Sequence, residues 1–197
     1  MSEHQFPSDV IEASHAFRTI MNAVSRPGRI LSFNAAHVAP VPLWATAACV
    51  ARTLCDFQTS VWLAPGLDHD AVRHYIRFHT GAPIAARPEE ASFIFLQAAS
   101  AEIDPTLFAQ GTHEYPDRSA TLVIQTGALS NEGGVELSGP GIPMLLRLHA
   151  EGVPQSFWNA MAENHAKFPL GVDVILVGPD AIAAIPRSTA IRLQETV

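Results

Sequence analysis

The chain reads as a single α/β domain spanning residues 1–197. Three observations carry this. Its 197 residues suit one domain. Its composition, 48% hydrophobic against 16% charged, supplies ample core-forming side chains, and a domain of this size buries roughly 70% of its unfolded surface. Segments with apolar residues at helical spacing alternate along the chain with short apolar runs bounded by Gly and Pro, and no internal repeat, linker or charge run divides them.

Asp9 followed by Glu12 marks a helix start, and Val10, Phe17, Ile20, Met21 and Val24 recur at three- and four-residue intervals, predicting a helix over 9–25. Ser25-Arg26-Pro27-Gly28 ends it, because Pro27 disfavours helical geometry at Arg26 and Gly28 permits a sharp turn. A strand is expected over 29–33. Pro42 fits a first helical turn, so 43–54 is expected as a buried, Ala-rich helix. Residues 59–64 form a β-type run closed by Pro65-Gly66, and 68–79 a helix closed by Gly81. A strand over 93–97, a short helical piece over 105–109 and a strand over 120–126 follow. Beyond Asn131 the pattern weakens: 135–138 is a short strand, Ser138-Gly139-Pro140-Gly141-Ile142 a compact turn, and 144–149 ambiguous. Pro154 opens a helix through Phe157, Trp158, Met161 and His165, which Phe168-Pro169-Leu170-Gly171 breaks before an apolar strand over 172–177. Residues 181–185 and 189–193 flank Pro186-Arg187 as two expected edge strands.

Composition narrows the function. The formal net charge is −7, with 12 basic and 19 acidic residues, which argues against a nucleic-acid backbone binder. Residues 1–9 lack the basic start and apolar core of a secretory leader. The most apolar window, 38–51, holds two prolines and falls short of the roughly 20 residues a bilayer span needs, so no membrane segment is expected. Cys49 and Cys55 lie in an apolar, helical stretch on different faces, and are read as reduced, mostly buried thiols of a cytoplasmic protein.

Chemistry-bearing motifs are sparse. His69, His74 and His79 fall at five-residue steps, each about 500° around a helix, so they do not share a coordination face. No Cys pair has zinc spacing, and no metal site is expected. The chain contains no Gly-x-Ser-x-Gly elbow, dinucleotide fingerprint or phosphate loop. Two cysteines fall short of a radical iron–sulfur cluster. No residue is assigned a catalytic role.

What remains is a set of Gly/Pro turns carrying Ser25, Arg26, Gly28, Ser138, Gly139, Gly141, Asp173, Arg187 and Thr189. Such turns present backbone N–H groups and hold a guanidinium where it can grip a phosphate or carboxylate, and Arg26 and Arg187 are the candidate anion contacts. The alternative is that they terminate strands and helices, with their arginines making rim contacts.

Four of these segments, taken in order, resemble the PhnH family: Phe17 to Ala23 running into Ser25-Arg26-Pro27-Gly28, Leu137 to Ile142, Phe168 to Asp173, and Ile185 to Thr189. The family resemblance implies a three-layer α/β/α sandwich with a mixed sheet, similar to type I pyridoxal-phosphate transferases but without the cofactor, and a homodimer. It also implies a role in the bacterial carbon–phosphorus lyase system beside PhnG, PhnI and PhnJ, in the stage that joins a phosphonate to the ribose of ATP. The chain would then be a structural or ligand-positioning subunit, with ATP or a phosphonate as possible ligand. The rival reading is an independent pyridoxal-phosphate transferase of divergent sequence. A Schiff-base enzyme needs a pocketed lysine, and Lys167, the one lysine, falls where a helix ends, so no cofactor is expected.

Overall fold

The strands at the centre of the molecule bury side chains on both faces, which is why they read as apolar runs. The computed structural model describes residues 8–98 and 103–193, with side chains from residue 11 onward. The side-chain cap at Asp9 and the reading of residues 1–7 therefore lie outside what is described, while the helix itself begins at Ser8. In chain order the elements are α1 (Ser8–Ser25), β1 (Leu31–Ser32), α2 (Ala45–Leu54), β2 (Val61–Leu63), α3 (Asp70–Thr80), β3 (Phe93–Gln97), β4 (Thr121–Gln125), β5 (Leu129–Ser138), β6 (Leu146–Ala150), α4 (Gln155–Ala166), β7 (Asp173–Val177), β8 (Ala181–Ile185) and β9 (Ala190–Arg192). Short 3-10 turns occur at Pro88–Glu90, Pro105–Leu107 and Pro116–Arg118.

A six-stranded mixed sheet runs β1-β8-β7-β4-β3-β2, with β2, β3, β4 and β7 parallel and β8 antiparallel to both β7 and β1. Its register aligns one row, Leu63, Phe95, Val123, Ile175 and Ala184, across five strands, and all five belong to the core beneath α1, α2 and α3. Here Ile20 and Ala23 of α1, Ala47 and Val50 of α2, and Val72 and Ile76 of α3 pack against the sheet. The adjacent row, Trp62, Ile94, Leu122, Val174 and Ile185, points the other way. It meets Val135 and Leu137 of β5, Leu148 of β6, and Phe157, Trp158 and Met161 of α4.

Several expectations need correction. The third layer is helical only in part: α4 shares it with a three-stranded antiparallel sheet, β6-β5-β9. Residues 129–150 lack a helical apolar period and are interrupted by Gly and Pro, so they close into a hairpin. Strand β5 starts at Leu129 instead of 135, its polar first half passing through a register shift between Ser130 and Val135. Strand β6 occupies the region left ambiguous. Strand β8 is interior, lying between β1 and β7, and its small side chains let both layers approach it. The strand expected over 29–33 pairs only at Leu31 and Ser32, and the piece over 105–109 is a single 3-10 turn.

The two thiols are free, as expected, but Cys55 falls one residue beyond the end of α2. Cys49 is half-buried and Cys55 buried, both free, and burial pushes the Cys55 thiol up to about 12.

Helix α4 is tied to the start of β7 by one buried side chain. Asn164 donates from Nδ2 to the Val172 carbonyl at 3.0 Å, and its Oδ1 accepts from the Val172 N–H at 2.9 Å. Asn164→Ala should leave both backbone groups of Val172 unpaired and lower the unfolding free energy by about 1–3 kcal/mol. Urea denaturation of the two proteins measures this, and an unchanged midpoint would remove the tie from the account of stability.

Candidate functional site

The turn that ends α1 is built by local hydrogen bonds. Ser25 Oγ donates to Asn22 O at 3.2 Å, the Arg26 N–H donates to the same carbonyl at 3.1 Å, and the Arg29 N–H donates to Arg26 O at 3.2 Å. The Gly28 N–H donates to Ala184 O of β8 at 2.9 Å, which fixes the turn on the sheet. Gly28 has φ +75° and lies so close to β5 that a Cβ would fall 2.5 Å from Leu137 Cδ1. Gly141, at φ +82°, meets the same turn from the hairpin, and its Cβ would fall 2.4 Å from Ser25 O. Only glycine satisfies both the dihedral and the contact at these two places. Ser138 pairs with Ala190 across β5 and β9, bringing Ser138 and Gly139 beside Thr189. Ser25, Gly28, Ser138, Gly139, Gly141 and Thr189 thus form one continuous junction.

Next to this junction opens a groove of about 380 Å³, lined by Arg26, Arg29 and Asn131 together with Ile142, Met144 and Leu145. Asn131 Nδ2 donates to Gly28 O at 3.1 Å and Arg147 O at 2.6 Å, so it braces the α1 turn against β6. Arg26 and Arg29 are exposed and, among the described residues, form no ion pair or side-chain hydrogen bond. Met144 is 81% exposed and Leu145 54% exposed. Two free guanidiniums beside an uncovered apolar wall can receive a ligand or segment that is anionic at one end and apolar at the other.

Arg187 is placed differently. Its N–H donates to Asp173 Oδ1 at 2.8 Å, Nε donates to the same oxygen at 3.2 Å, and Nη2 pairs with Oδ2. Nη1 donates to Pro116 O at 2.6 Å, and the side chain is only 14% exposed. The Arg187 fork is therefore spent inside the protein, bracing β7, β8 and the Pro116–Arg118 turn. Thr189 is buried, with its Oγ1 lacking a hydrogen-bond partner among the described residues. Of the nine candidate residues, Arg26 alone carries an uncommitted charge.

Sequence reasoning missed the opposite end of the sheet. Ligands of open α/β sheets usually sit beyond the carboxyl ends of the parallel strands. Here that place is occupied by the start of α2: the Trp44 N–H donates to Gln125 Oε1 at 2.7 Å, Gln125 Nε2 donates to Pro42 O at 3.2 Å, and Thr46 Oγ1 donates to Gly178 O at 2.8 Å. Lys167 is exposed at the C-cap of α4, so it does not fit the pocketed position a Schiff base requires. Among the described residues no group of three His, Cys, Asp or Glu could hold a metal ion.

These features are joined by the comparison with known proteins. The family described as "Bacterial phosphonate metabolism protein (PhnH)" matches residues 4–192, which includes every segment of the junction. The chain belongs to the PhnH family. PhnH of Rhizobium meliloti (strain 1021), a subunit of alpha-D-ribose 1-methylphosphonate 5-triphosphate synthase, is 40% identical over 186 residues, covering 93% of this chain and 92% of that protein. HtxG of Stutzerimonas stutzeri, whose name proposes it as a C-P lyase subunit, is 31% identical over 182 residues, covering 91% and 85%.

The two arginines of this PhnH-family chain should separate cleanly on mutation. Arg187→Ala strands a half-buried carboxylate and a carbonyl, and should cost about 1.5–3 kcal/mol, or roughly 3–12 °C in Tm. Arg26→Ala should leave Tm within a degree or so, as for surface substitutions of roughly ±0.5 kcal/mol. Equal thermal shifts in calorimetry would contradict this division of roles.

Proposed function

We propose that the chain is the PhnH subunit of an alpha-D-ribose 1-methylphosphonate 5-triphosphate synthase within a carbon–phosphorus lyase assembly. In phosphonate catabolism it would support the joining of a phosphonate to the ribose of ATP, and work in the cytoplasm with PhnG-, PhnI- and PhnJ-type subunits. The observation that carries the reading is the 40% identity to a PhnH subunit across 93% of the chain. The fold keeps, as part of the same proposal, its likeness to type I pyridoxal-phosphate transferases. The exposed Lys167 favours a subunit over an independent pyridoxal-phosphate enzyme.

The groove suggests how the subunit contributes. Arg26 and Arg29 hold an anionic group, from a ligand or an acidic partner segment, while Met144 and Leu145 are covered by a protein surface. Self-association of the chain through the apolar loop is the first such contact, giving a homodimer. A turn held by Pro27 and Gly28 leaves Arg26 little backbone entropy to lose, so its fork meets an anion at small ordering cost.

Two outcomes follow. Arg26→Ala should weaken capture of the partner subunits, or protection by ATP or methylphosphonate, about 10- to 100-fold, equivalent to about 1.5–3 kcal/mol, with Arg26→Lys restoring part of it. Unaltered pull-down and unaltered protection would take Arg26 out of the contact. The isolated protein, incubated with ATP and methylphosphonate, should release no adenine, because among the described residues no nucleophile or general acid converges in the groove. Adenine formed by a preparation free of other subunits would show that the chain supplies chemistry of its own.

A further inference from the structure

A second cleft lies toward the other end of α1 and shares no residue with the groove at Arg26. It has a volume of about 320 Å³ and is bounded by Glu12, His15 and Thr19 of α1, by Ser32, Asn34 and His37 in and after β1, and by Cys49, Arg52 and Thr53 of α2. We infer that this cleft binds a small molecule carrying a phosphoryl or phosphonyl group, with Arg52 as its principal contact.

The donor set points to such a group. Among the described residues, Arg52 makes no ion pair, and neither it nor Ser32, Asn34 and His15 makes a side-chain hydrogen bond. One carboxylate lines the cleft, and it is engaged: Glu12 Oε2 lies 3.7 Å from His37 Nδ1. A guanidinium, the His15 imidazole, an amide and a hydroxyl therefore line one small volume without internal partners among the described residues, on a protein whose formal net charge is −7. A tetrahedral oxyanion uses these donors together, since the planar fork of Arg52 offers two parallel N–H groups while the imidazole of His15 adds a further hydrogen bond. The remaining space accepts a short organic body against Ala16 and Phe33.

The electrostatics agree with the geometry. Burial raises the proton affinity of the Cys49 thiol, the Thr53 hydrogen bond and Arg52 lower it, and Glu12 raises it, so both charged groups act on the same sulfur. Burial, followed by Arg52, His37 and His74, holds the proton affinity of His79 below the ordinary histidine range. Arg52 thus acts on groups of both α2 and α3 beside the cleft. The thiol stays protonated and serves as a neutral wall.

Calorimetric or NMR titration of the full chain with methylphosphonate, methyl phosphate and inorganic phosphate tests the site and separates its two ligand sources. Saturable binding of methylphosphonate in preference to methyl phosphate would mark a phosphonate site, the reverse order a phosphate-ester site, and either supports the inference. Arg52→Gln should lower the affinity about 10- to 100-fold, as expected for lost hydrogen bonds to a charged group, with Tm unchanged. Ala13→Phe, which fills the cleft from an exposed position on α1, should abolish binding without touching a donor. Arg192→Ala, at an exposed position that lines neither the cleft nor the groove, should leave it intact. Absence of saturable binding by all three probes at about 10 mM, weaker than any Kd of interest on the affinity scale, would overturn the inference, as would unchanged affinity in a folded Arg52→Gln protein.

Discussion

The structure depends on one constraint: the middle strands are apolar on both faces. Ile94 and Phe95, Leu122 and Val123, and Val174 and Ile175 are neighbours that point in opposite directions, and all six are buried. A sheet of this kind must be covered twice, since a sizeable apolar side chain left in water forfeits about 1.5–3 kcal/mol. Three helices cover one side. Among the described residues α4 is the one helix left for the other, so the hairpin of β5 and β6, held by β9, completes that cover. The unusual second layer is the result of this demand, met with the segments available.

That arrangement also sets where functional groups can lie. The α1 turn is pressed against the hairpin at Gly28 and Gly141, and Asn131 bridges the two, so Arg26 and Arg29 are carried on a seam between layers. Rigid support on one side and open solvent on the other suit a contact surface better than a reaction chamber. The Asp173–Arg187 pair reinforces the far side of the same region, where β7 begins and β8 ends. Both arginines sit beside a proline, yet their roles differ, because Arg187 has a carboxylate within reach and, among the described residues, Arg26 pairs with none.

How much of this was legible in the sequence depended on whether a signal was local. Helix α3 and its Gly81 cap, and β3 over Phe93–Gln97, matched because period, apolar run and terminator all fall within a dozen residues. The first half of β5 was hidden because Ser130, Asn131 and Glu132 read as loop, and only pairing with β6 makes them strand. Gln125 gave no periodic signal at all. Its significance comes from backbone groups 81 and 83 residues away. The nine turn residues were found as punctuation, and six of them meet in space. Nothing in the sequence distinguished the committed Arg187 from the free Arg26, or set Arg52 apart from a solvated residue in a last helical turn.

The placement of Gln125 has a consequence for anyone who would reshape this scaffold. The crevice that other α/β proteins offer to nucleotides and coenzymes is stoppered by the protein's own backbone, through a side chain that is 2% exposed. A compound library docked beyond the end of β4 would meet the Trp44 and Pro42 backbone, and grafting a coenzyme there would first require rebuilding the entry to α2. Chemical probes of this subunit belong on its periphery.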